Sequence, residues 1–236
     1  MLRQRRDVGA IVRDAFSLYG AHAGRLLAVA LAVVVPVDVI VLGIGLGQLS
    51  GPYDASPSTG AQVLEIAVTG LVTTPLVTAM VIEVLRAEHP SAGRAIQAGL
   101  DVFPHLLVVM ILYAAALIAG LAVFILPGIY VGIRLLFGIQ TVVLERRRGP
   151  AALRRSWELT AGAFGRTLGV YLVVVVGVAV AGALIGLPLA AAASGANSAF
   201  LGLLGAMLSQ VVVAPFVAIA TTLLYFDLAE RRDTPA

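Results

Sequence analysis

The sequence contains no cysteine and no lysine, and only 12% of its 236 residues are charged. The absence of cysteine excludes disulfides, thiolate metal sites and cysteine nucleophiles. Because lysine is absent, all sixteen basic residues are arginines. By contrast, 60% of the residues are hydrophobic, far above the share in an ordinary soluble domain. A soluble core cannot hide so much apolar surface, so the composition predicts a chain that lies mostly inside a membrane.

Long apolar runs recur along the chain. A membrane span needs about 20 helical residues to cross a hydrocarbon layer about 30 Å thick, and the runs reach or approach that length. The segments between several of them are rich in Pro, Gly and Ser, which mark turns. We therefore expect an all-α fold, a single integral membrane domain over 1–236 with six transmembrane helices. Their approximate ranges are 26–49, 62–85, 105–126, 128–144, 167–190 and 199–226.

Amphipathic segments precede the first, third and fifth spans, at 7–22, 90–103 and 149–163. A basic amphipathic helix lies on the cytoplasmic leaflet with its apolar stripe among the headgroups, so we expect three interfacial helices. In the third, Leu153, Trp157, Ala161 and Phe164 share the predicted apolar face. The three segments can be aligned with one another, which leaves two interpretations. Either each helix with its two following spans is one unit of a threefold repeat, or aliphatic sequences align by chance.

The arginines predict how the chain is threaded. Every basic border falls on one side of six spans: the N-terminus, 86–105, 145–166 and the C-terminus. The loops on the other side contain no basic residue. Because short loops rich in basic residues stay in the cytoplasm, we expect a cell-membrane protein with both termini cytoplasmic. Its expected partners are the bilayer, anionic headgroups and an unidentified protein, but not nucleic acid.

Three charged residues lie inside predicted spans, namely Asp38, Glu65 and Arg134. A buried ion costs several kcal/mol unless it is paired, hydrated or neutral. At about 1.5 Å of rise per residue, all three could meet in the outer half of the bilayer. One interpretation is a polar cavity that binds a headgroup, an ion or a proton. The other is an ion pair that fixes the packing of spans one, two and four, with Arg134 reaching toward the outer surface.

The sequence has no pattern that predicts a catalytic, cofactor or metal site. Its three histidines are single and lack metal-ligand spacing, and no Ser/His/Asp set or nucleotide-binding loop is present. Two structural features are predicted instead. Pro127-Gly128 is typical of a turn between spans three and four. Arg155, Ser156 and Trp157 are predicted to form an interfacial anchor, since tryptophan favours the membrane border.

Several of these segments together resemble a known family. They are Pro-Gly-Ile-Tyr at 127–130, Arg134, Arg-Arg-Ser-Trp-Glu-Leu-Thr at 154–160 and Leu-Leu-Tyr-Phe-Asp-Leu at 223–228. This combination is similar to the signature of bacterial and archaeal membrane proteins grouped with the membrane domain of glycerophosphoryl diester phosphodiesterases. The resemblance implies that some relatives carry a soluble phosphodiesterase barrel after the membrane part, while stand-alone members have no settled activity.

Hydrolase activity is not expected from this chain, because such a barrel needs about 250 residues and ten follow the sixth span. Two functions remain open. One is a non-enzymatic scaffold or accessory subunit, whose basic surface helices hold anionic lipid and a partner. The other is a small transporter or lipid-handling protein that uses the charged cluster, with Pro36 and Pro75 breaking spans one and two. The short outer loops and the few polar residues favour the scaffold.

Overall fold

The computed structural model describes residues 7–41, 67–87, 91–196 and 199–233. Helices form nearly all of this described part and no strand occurs in it, so the predicted all-α class is confirmed. A π-helical turn, Thr69–Thr73, precedes the second α-helix. The α-helices are α1 Val8–Val41, α2 Thr74–Arg86, α3 Ala92–Val123, α4 Ile125–Arg134, α5 Gly138–Glu145, α6 Pro150–Leu159, α7 Phe164–Ala196 and α8 Ala199–Asp233.

Six helical segments of the described chain are long and apolar enough to cross a membrane, as predicted. Four of them, α1, α3, α7 and α8, contain 32 to 35 residues each. At about 1.5 Å per residue such helices are about 50 Å long, whereas the hydrocarbon layer is about 30 Å thick. Their ends therefore extend beyond the hydrocarbon, where charged side chains meet headgroups and water.

Two of the three predicted interfacial segments are not separate helices. Segment 7–22 is the first half of α1, and α3 continues from Ala92 through Pro104 to Val123. A helix ends where the backbone leaves the right-handed region, and neither junction has a residue with positive φ. Pro104 removes only one donor from α3. The third segment does separate as α6, because Arg146 and Gly149 adopt φ of 54° and 53° ahead of it.

The buried face of α6 also differs from the predicted one. Ala152, Leu153, Ser156 and Leu159 are buried, whereas Trp157 is 38% exposed. The reason is that α6 packs on α3 and α5 rather than resting on a lipid surface alone. A face that meets other helices is chosen by their shapes and hydrogen-bonding groups, so its position cannot be read from apolar spacing alone.

The reversal between spans three and four occurs at Phe124 (φ −174°, ψ 162°), three residues before the predicted turn at Pro127-Gly128. Both of those residues lie in the first turn of α4, where the missing N–H of Pro127 is not needed for helix hydrogen bonds. Gly128 is required for close packing of α4 on α3. A Cβ at this position would lie only 2.4 Å from Leu121 Cδ2 and 3.0 Å from the Leu121 backbone nitrogen.

Helix α8 packs against α1, α2 and α7, and it supplies much of the largest apolar cluster. Hydrogen bonds hold α1 and α7 against α8. The Tyr19 hydroxyl of α1 donates to the Val212 carbonyl at 2.9 Å. The Ser209 hydroxyl of α8 donates to the Gly182 carbonyl of α7 at 3.0 Å. The last part of α8 lies beside α5, where Thr221 contacts Gln140 and Tyr225 contacts Glu145.

Candidate functional site

The fourth span is broken between α4 and α5. Residues 135–137 form a turn, which releases the Arg134 carbonyl and the Phe137 N–H from regular helix hydrogen bonds. The Ser156 hydroxyl of α6 donates to the Arg134 carbonyl at 3.0 Å and accepts from the Phe137 N–H at 3.0 Å. Ser156 is completely buried. One hydroxyl therefore satisfies two of the backbone groups that the break exposes.

Two further hydroxyls extend this contact between α5 and α6. Thr141 lies on α5, and its Oγ1 is 2.8 Å from the Gly138 carbonyl and 3.1 Å from the Ala152 carbonyl of α6. Thr160 follows α6 directly, and its Oγ1 is 3.3 Å from the Arg134 carbonyl. Thr141, Ser156 and Thr160, which we name the hydroxyl ladder, are all fully buried. The ladder holds α6 against the broken span.

Arg134, the last residue of α4, is the charged residue of the site. It is 8% exposed, and its guanidinium carbon lies 4.3 Å from the centroid of the Trp157 ring and 5.6 Å from that of Tyr130. Its Nη1 donates to Thr160 Oγ1 at 3.3 Å. An arginine placed over an aromatic face is attracted by the negative π-surface, by about 0.5–2 kcal/mol. The Nε atom is buried and has no hydrogen-bond partner in the described part of the chain.

Among the described residues, the surroundings of Arg134 differ from the predicted cluster with Asp38 and Glu65. Two aromatic rings and a hydroxyl surround Arg134, and no carboxylate pairs with it among the described residues. Asp38 lies half-buried on α1, and Glu65 lies outside the described residues. A flat guanidinium can stack on a ring, which an ammonium does less well. A shared role for Asp38 and Glu65 stays a prediction.

Glu145, at the end of α5, is held by three neighbours. Arg155 of α6 donates to it at 2.9 Å, Arg147 donates at 2.8 Å, and the Tyr225 hydroxyl of α8 donates as well. Burial alone lowers the pKa of the Arg155 guanidinium, but the hydrogen bonds and charge of Glu145 outweigh burial and raise it. Arg155 is thus a structural ion-pair partner rather than only an interfacial anchor.

Asp227 of α8 forms a second ionic contact and is completely buried. Its Oδ2 accepts from Arg166, in the first turns of α7, at 3.0 Å. Arg231, one turn further along α8, donates to both carboxylate oxygens at 3.0 Å. A buried carboxylate is tolerated only when it is paired and hydrogen-bonded, and both conditions hold here. We call the region around Glu145 and Asp227 the ion-paired end.

A polar contact also crosses the interior between α5 and α8. The Gln140 Nε2 donates to Thr221 Oγ1 at 3.2 Å, and both side chains are buried. The Gln140 Oε1 has no partner in the described chain, and neither has the Thr73 Oγ1 at the end of the π-helical turn. Buried polar atoms without partners are uncommon in folded proteins, so these two atoms mark places where water or a ligand atom would bind favourably.

Sequence reasoning found some of these residues and missed others. It selected Arg134, Arg155, Ser156 and Trp157, and the structure brings all four to the contact between α4, α5 and α6. It assigned no site role to Thr141, Thr160, Arg166 or Asp227, although Thr160 and Asp227 lie in the segments that resemble the family. One signal was available: Ser156 and Thr160 are four residues apart, so two hydroxyls share one face of a helix. Nothing in the sequence shows which backbone groups they would bind.

Comparison with known proteins agrees with this picture. A family model described as the membrane domain of glycerophosphoryl diester phosphodiesterase matches residues 102–229. The match covers more than half of the chain and includes the broken span, the hydroxyl ladder and the ion-paired end. Neither the curated proteins nor the solved structures yield a match. The chain belongs to the family of the membrane domain of glycerophosphoryl diester phosphodiesterase, as the resemblance predicted.

Proposed function

We propose that the chain is a non-enzymatic membrane scaffold, whose exposed arginines hold anionic headgroups and whose ion-paired end is the platform on which a partner assembles. The observation that carries this proposal is the contrast between two sets of arginines. Those at the ion-paired end are bound to Glu145 and Asp227. Arg86, Arg146 and Arg148 are exposed and have no ion-pair partner among the described residues.

The two sets have different effects. The paired set joins α5, α6, α7 and α8, so the platform keeps its shape. The exposed set attracts anionic lipid, and each arginine near such a surface contributes about 1 kcal/mol. Three exposed arginines therefore contribute about 3 kcal/mol in total, which is sufficient to enrich anionic lipid around the protein without a deep binding pocket.

The single tryptophan, Trp157, provides the test. The full chain is reconstituted in phosphatidylcholine vesicles that contain brominated phosphatidylglycerol, and bromine quenching of Trp157 reports lipid contact. We expect phosphatidylglycerol to be preferred over phosphatidylcholine. The preference should fall in a variant with glutamine at positions 86, 146 and 148 and persist in the charge-conserving variant with lysine at those positions. Equal preference in all three proteins would refute lipid holding by these arginines.

The same proposal places both termini in the cytoplasm, because the arginine-rich loops are expected to stay there. Reporter fusions after Pro57, Arg148 and Arg232 test this orientation. A periplasmic signal is expected only after Pro57. A periplasmic signal after Arg148 would contradict the orientation and would move the exposed arginines to the opposite leaflet.

A second candidate is a small transporter or lipid-handling protein. It is favoured by three buried polar atoms, Thr73 Oγ1, Arg134 Nε and Gln140 Oε1, which lack hydrogen-bond partners in the described chain. Lipid scrambling and solute uptake are measured in proteoliposomes with the wild type, Arg134→Ala and Asp38→Ala. Activity that is present in the wild type and lost in a folded, inserted variant would favour this candidate over the scaffold.

A further inference from the structure

A cavity of about 270 Å³ opens where α2 and α3 meet the segment that follows α5. Charged groups of both signs line it. The helices α2 and α3 contribute Glu83, Asp101 and His105, and the segment after α5 contributes Arg146, Arg147 and Arg148. Alanine and valine side chains complete the lining. We name this space the mixed-charge cavity; it is separate from the hydroxyl ladder.

The charges around the mixed-charge cavity do not neutralise one another. Arg147 is paired with Glu145 outside the lining. Glu83, Asp101, Arg146 and Arg148 form no ion pair with any residue in the described part of the chain. A simple anion in this space would face two carboxylates, and a simple cation would face the arginines. A ligand that carries both charges complements the whole lining.

We propose that the mixed-charge cavity binds a phosphoethanolamine group, in which a phosphate and a primary ammonium are joined by two carbons. Arginine matches the geometry of phosphate oxygens, so Arg146 and Arg148 receive the phosphate. A primary ammonium has three N–H donors, and Glu83 and Asp101 accept from it. This site goes beyond the proposed scaffold function, because it recognises a net-neutral group rather than an anionic surface.

The size and position of the cavity agree with this ligand. Pockets for drug-sized molecules occupy about 300–1,000 Å³, so a space of about 270 Å³ suits a headgroup. The alanine and valine side chains suit the glycerol carbons beside the phosphate. Glu83 and Asp101 also line an adjoining cavity, together with Arg94. The Arg94 Nε donates to the Ser91 hydroxyl. The same chemistry is present in phosphatidylethanolamine and in soluble glycerophosphoethanolamine.

Native mass spectrometry of the full chain in detergent micelles tests the proposal. The probe is an equal mixture of phosphatidylethanolamine, its N-methyl and N,N-dimethyl forms, and phosphatidylcholine, all with the same acyl chains. We expect retained lipid to decrease stepwise as methyl groups replace N–H donors, with about a tenfold difference between the ends of the series. An equal signal from all four lipids would overturn the proposal without the use of any variant.

Variants assign the effect to the cavity. The double variant Glu83→Ala/Asp101→Ala should retain all four lipids equally, because it has no side-chain oxygen at these positions to accept from the ammonium. The matched control, Arg154→Gln/Glu158→Gln, removes an exposed ion pair of α6 that does not line the cavity, and it should behave like the wild type. A carboxylate variant that keeps the stepwise series, or a control that loses it, would place the recognition elsewhere.

A second arm separates the two sources of the ligand. Soluble glycerophosphoethanolamine is titrated into the same micelles by calorimetry. Binding of glycerophosphoethanolamine supports a site that is open to the soluble diester. Binding of phosphatidylethanolamine alone supports a membrane ligand. If neither compound binds, the proposal is overturned. Because the readout is discrimination among neutral lipids, it can fail while the anionic-lipid preference of the scaffold test succeeds, or the reverse.

Discussion

Replacement of Ser156 by alanine should destabilise the protein more than any other single removal of a hydroxyl from the ladder. The substitution leaves the Arg134 carbonyl and the Phe137 N–H without their hydrogen-bond partner in α6. Thr160 Oγ1 lies 3.3 Å from the same carbonyl and can replace the lost donor by turning its one proton away from the Ser156 and Trp157 carbonyls, at 3.0 and 3.1 Å. The Phe137 N–H has no other acceptor among the described residues.

The expected magnitude follows from that asymmetry. A buried polar group that loses its partner costs about 1–3 kcal/mol, while side-chain hydrogen bonds in membrane proteins average about 0.6 kcal/mol and reach about 1.7 kcal/mol. One unsatisfied N–H therefore predicts a loss of about 1–2 kcal/mol in the free energy of unfolding. The carbonyl adds little, because Thr160 compensates for it.

Equilibrium unfolding in mixed detergent and dodecyl sulfate micelles measures the loss. Trp157 is adjacent to Ser156 and is the single tryptophan, so its fluorescence reports the docking of α6. Circular dichroism gives an independent probe, and coincident transitions justify a two-state treatment. The control is Ser194→Ala, since Ser194 is exposed and its hydroxyl donates within its own helix to the Ala190 carbonyl at 3.0 Å.

Unfolding of Ser156→Ala and Ser194→Ala at the same detergent ratio would contradict this expectation. A double-mutant cycle with Thr160→Val adds a sharper criterion. Because Ser156 and Thr160 share the Arg134 carbonyl, the two substitutions should be non-additive by about 0.5 kcal/mol or more. Full additivity would show that Thr160 does not compensate for the lost hydroxyl.

Two other predictions concern single contacts. Asp227→Asn removes the counter-charge of Arg166 and Arg231, and we expect a loss of about 1–2 kcal/mol, less than the about 3–5 kcal/mol of a fully buried pair, because both arginines are partly exposed. An Asp227→Asn variant with the same Tm in detergent as the wild type would contradict this prediction. Gly128→Ala places a Cβ 2.4 Å from a leucine side chain and should cost about 1–3 kcal/mol. Gly177→Ala, which has open space around it, should leave the unfolding midpoint unchanged.

The six spans are predictable from the sequence because transfer of a helix into hydrocarbon depends on the residues of that helix alone. The arginine borders are expected for a similar reason, since an arginine that faces hydrocarbon is costly. Each of these two predictions depends only on the residues of one helix or one loop. The six spans agree with the structure, although α1 is much longer than predicted and begins at Val8 rather than near 26.

The contacts inside the fourth span are not predictable in this way. A search for the partner of Arg134 by charge leads to Asp38 and Glu65. Glu65 lies outside the described residues, and the described neighbours of Arg134 are aromatic rings and a hydroxyl. The position of the turn between spans three and four is equally hard to predict. Pro127-Gly128 is a common turn signal, but a glycine is also required wherever two helices approach closely. The sequence pattern is identical in both cases, and only the packing of α4 on α3 decides between them.

The two polar contacts of α6 have a joint consequence for any test of function. Ser156 binds the break at the start of α5, while Arg155 binds Glu145 at its end. Helix α6 is therefore fixed to both ends of α5, and it cannot shift without breaking one contact. Substitution of Arg155 will change lipid binding through loss of structure, even if Arg155 never touches lipid. Arg148, which is exposed and makes no ion pair with another described residue, separates a lipid effect from a packing effect.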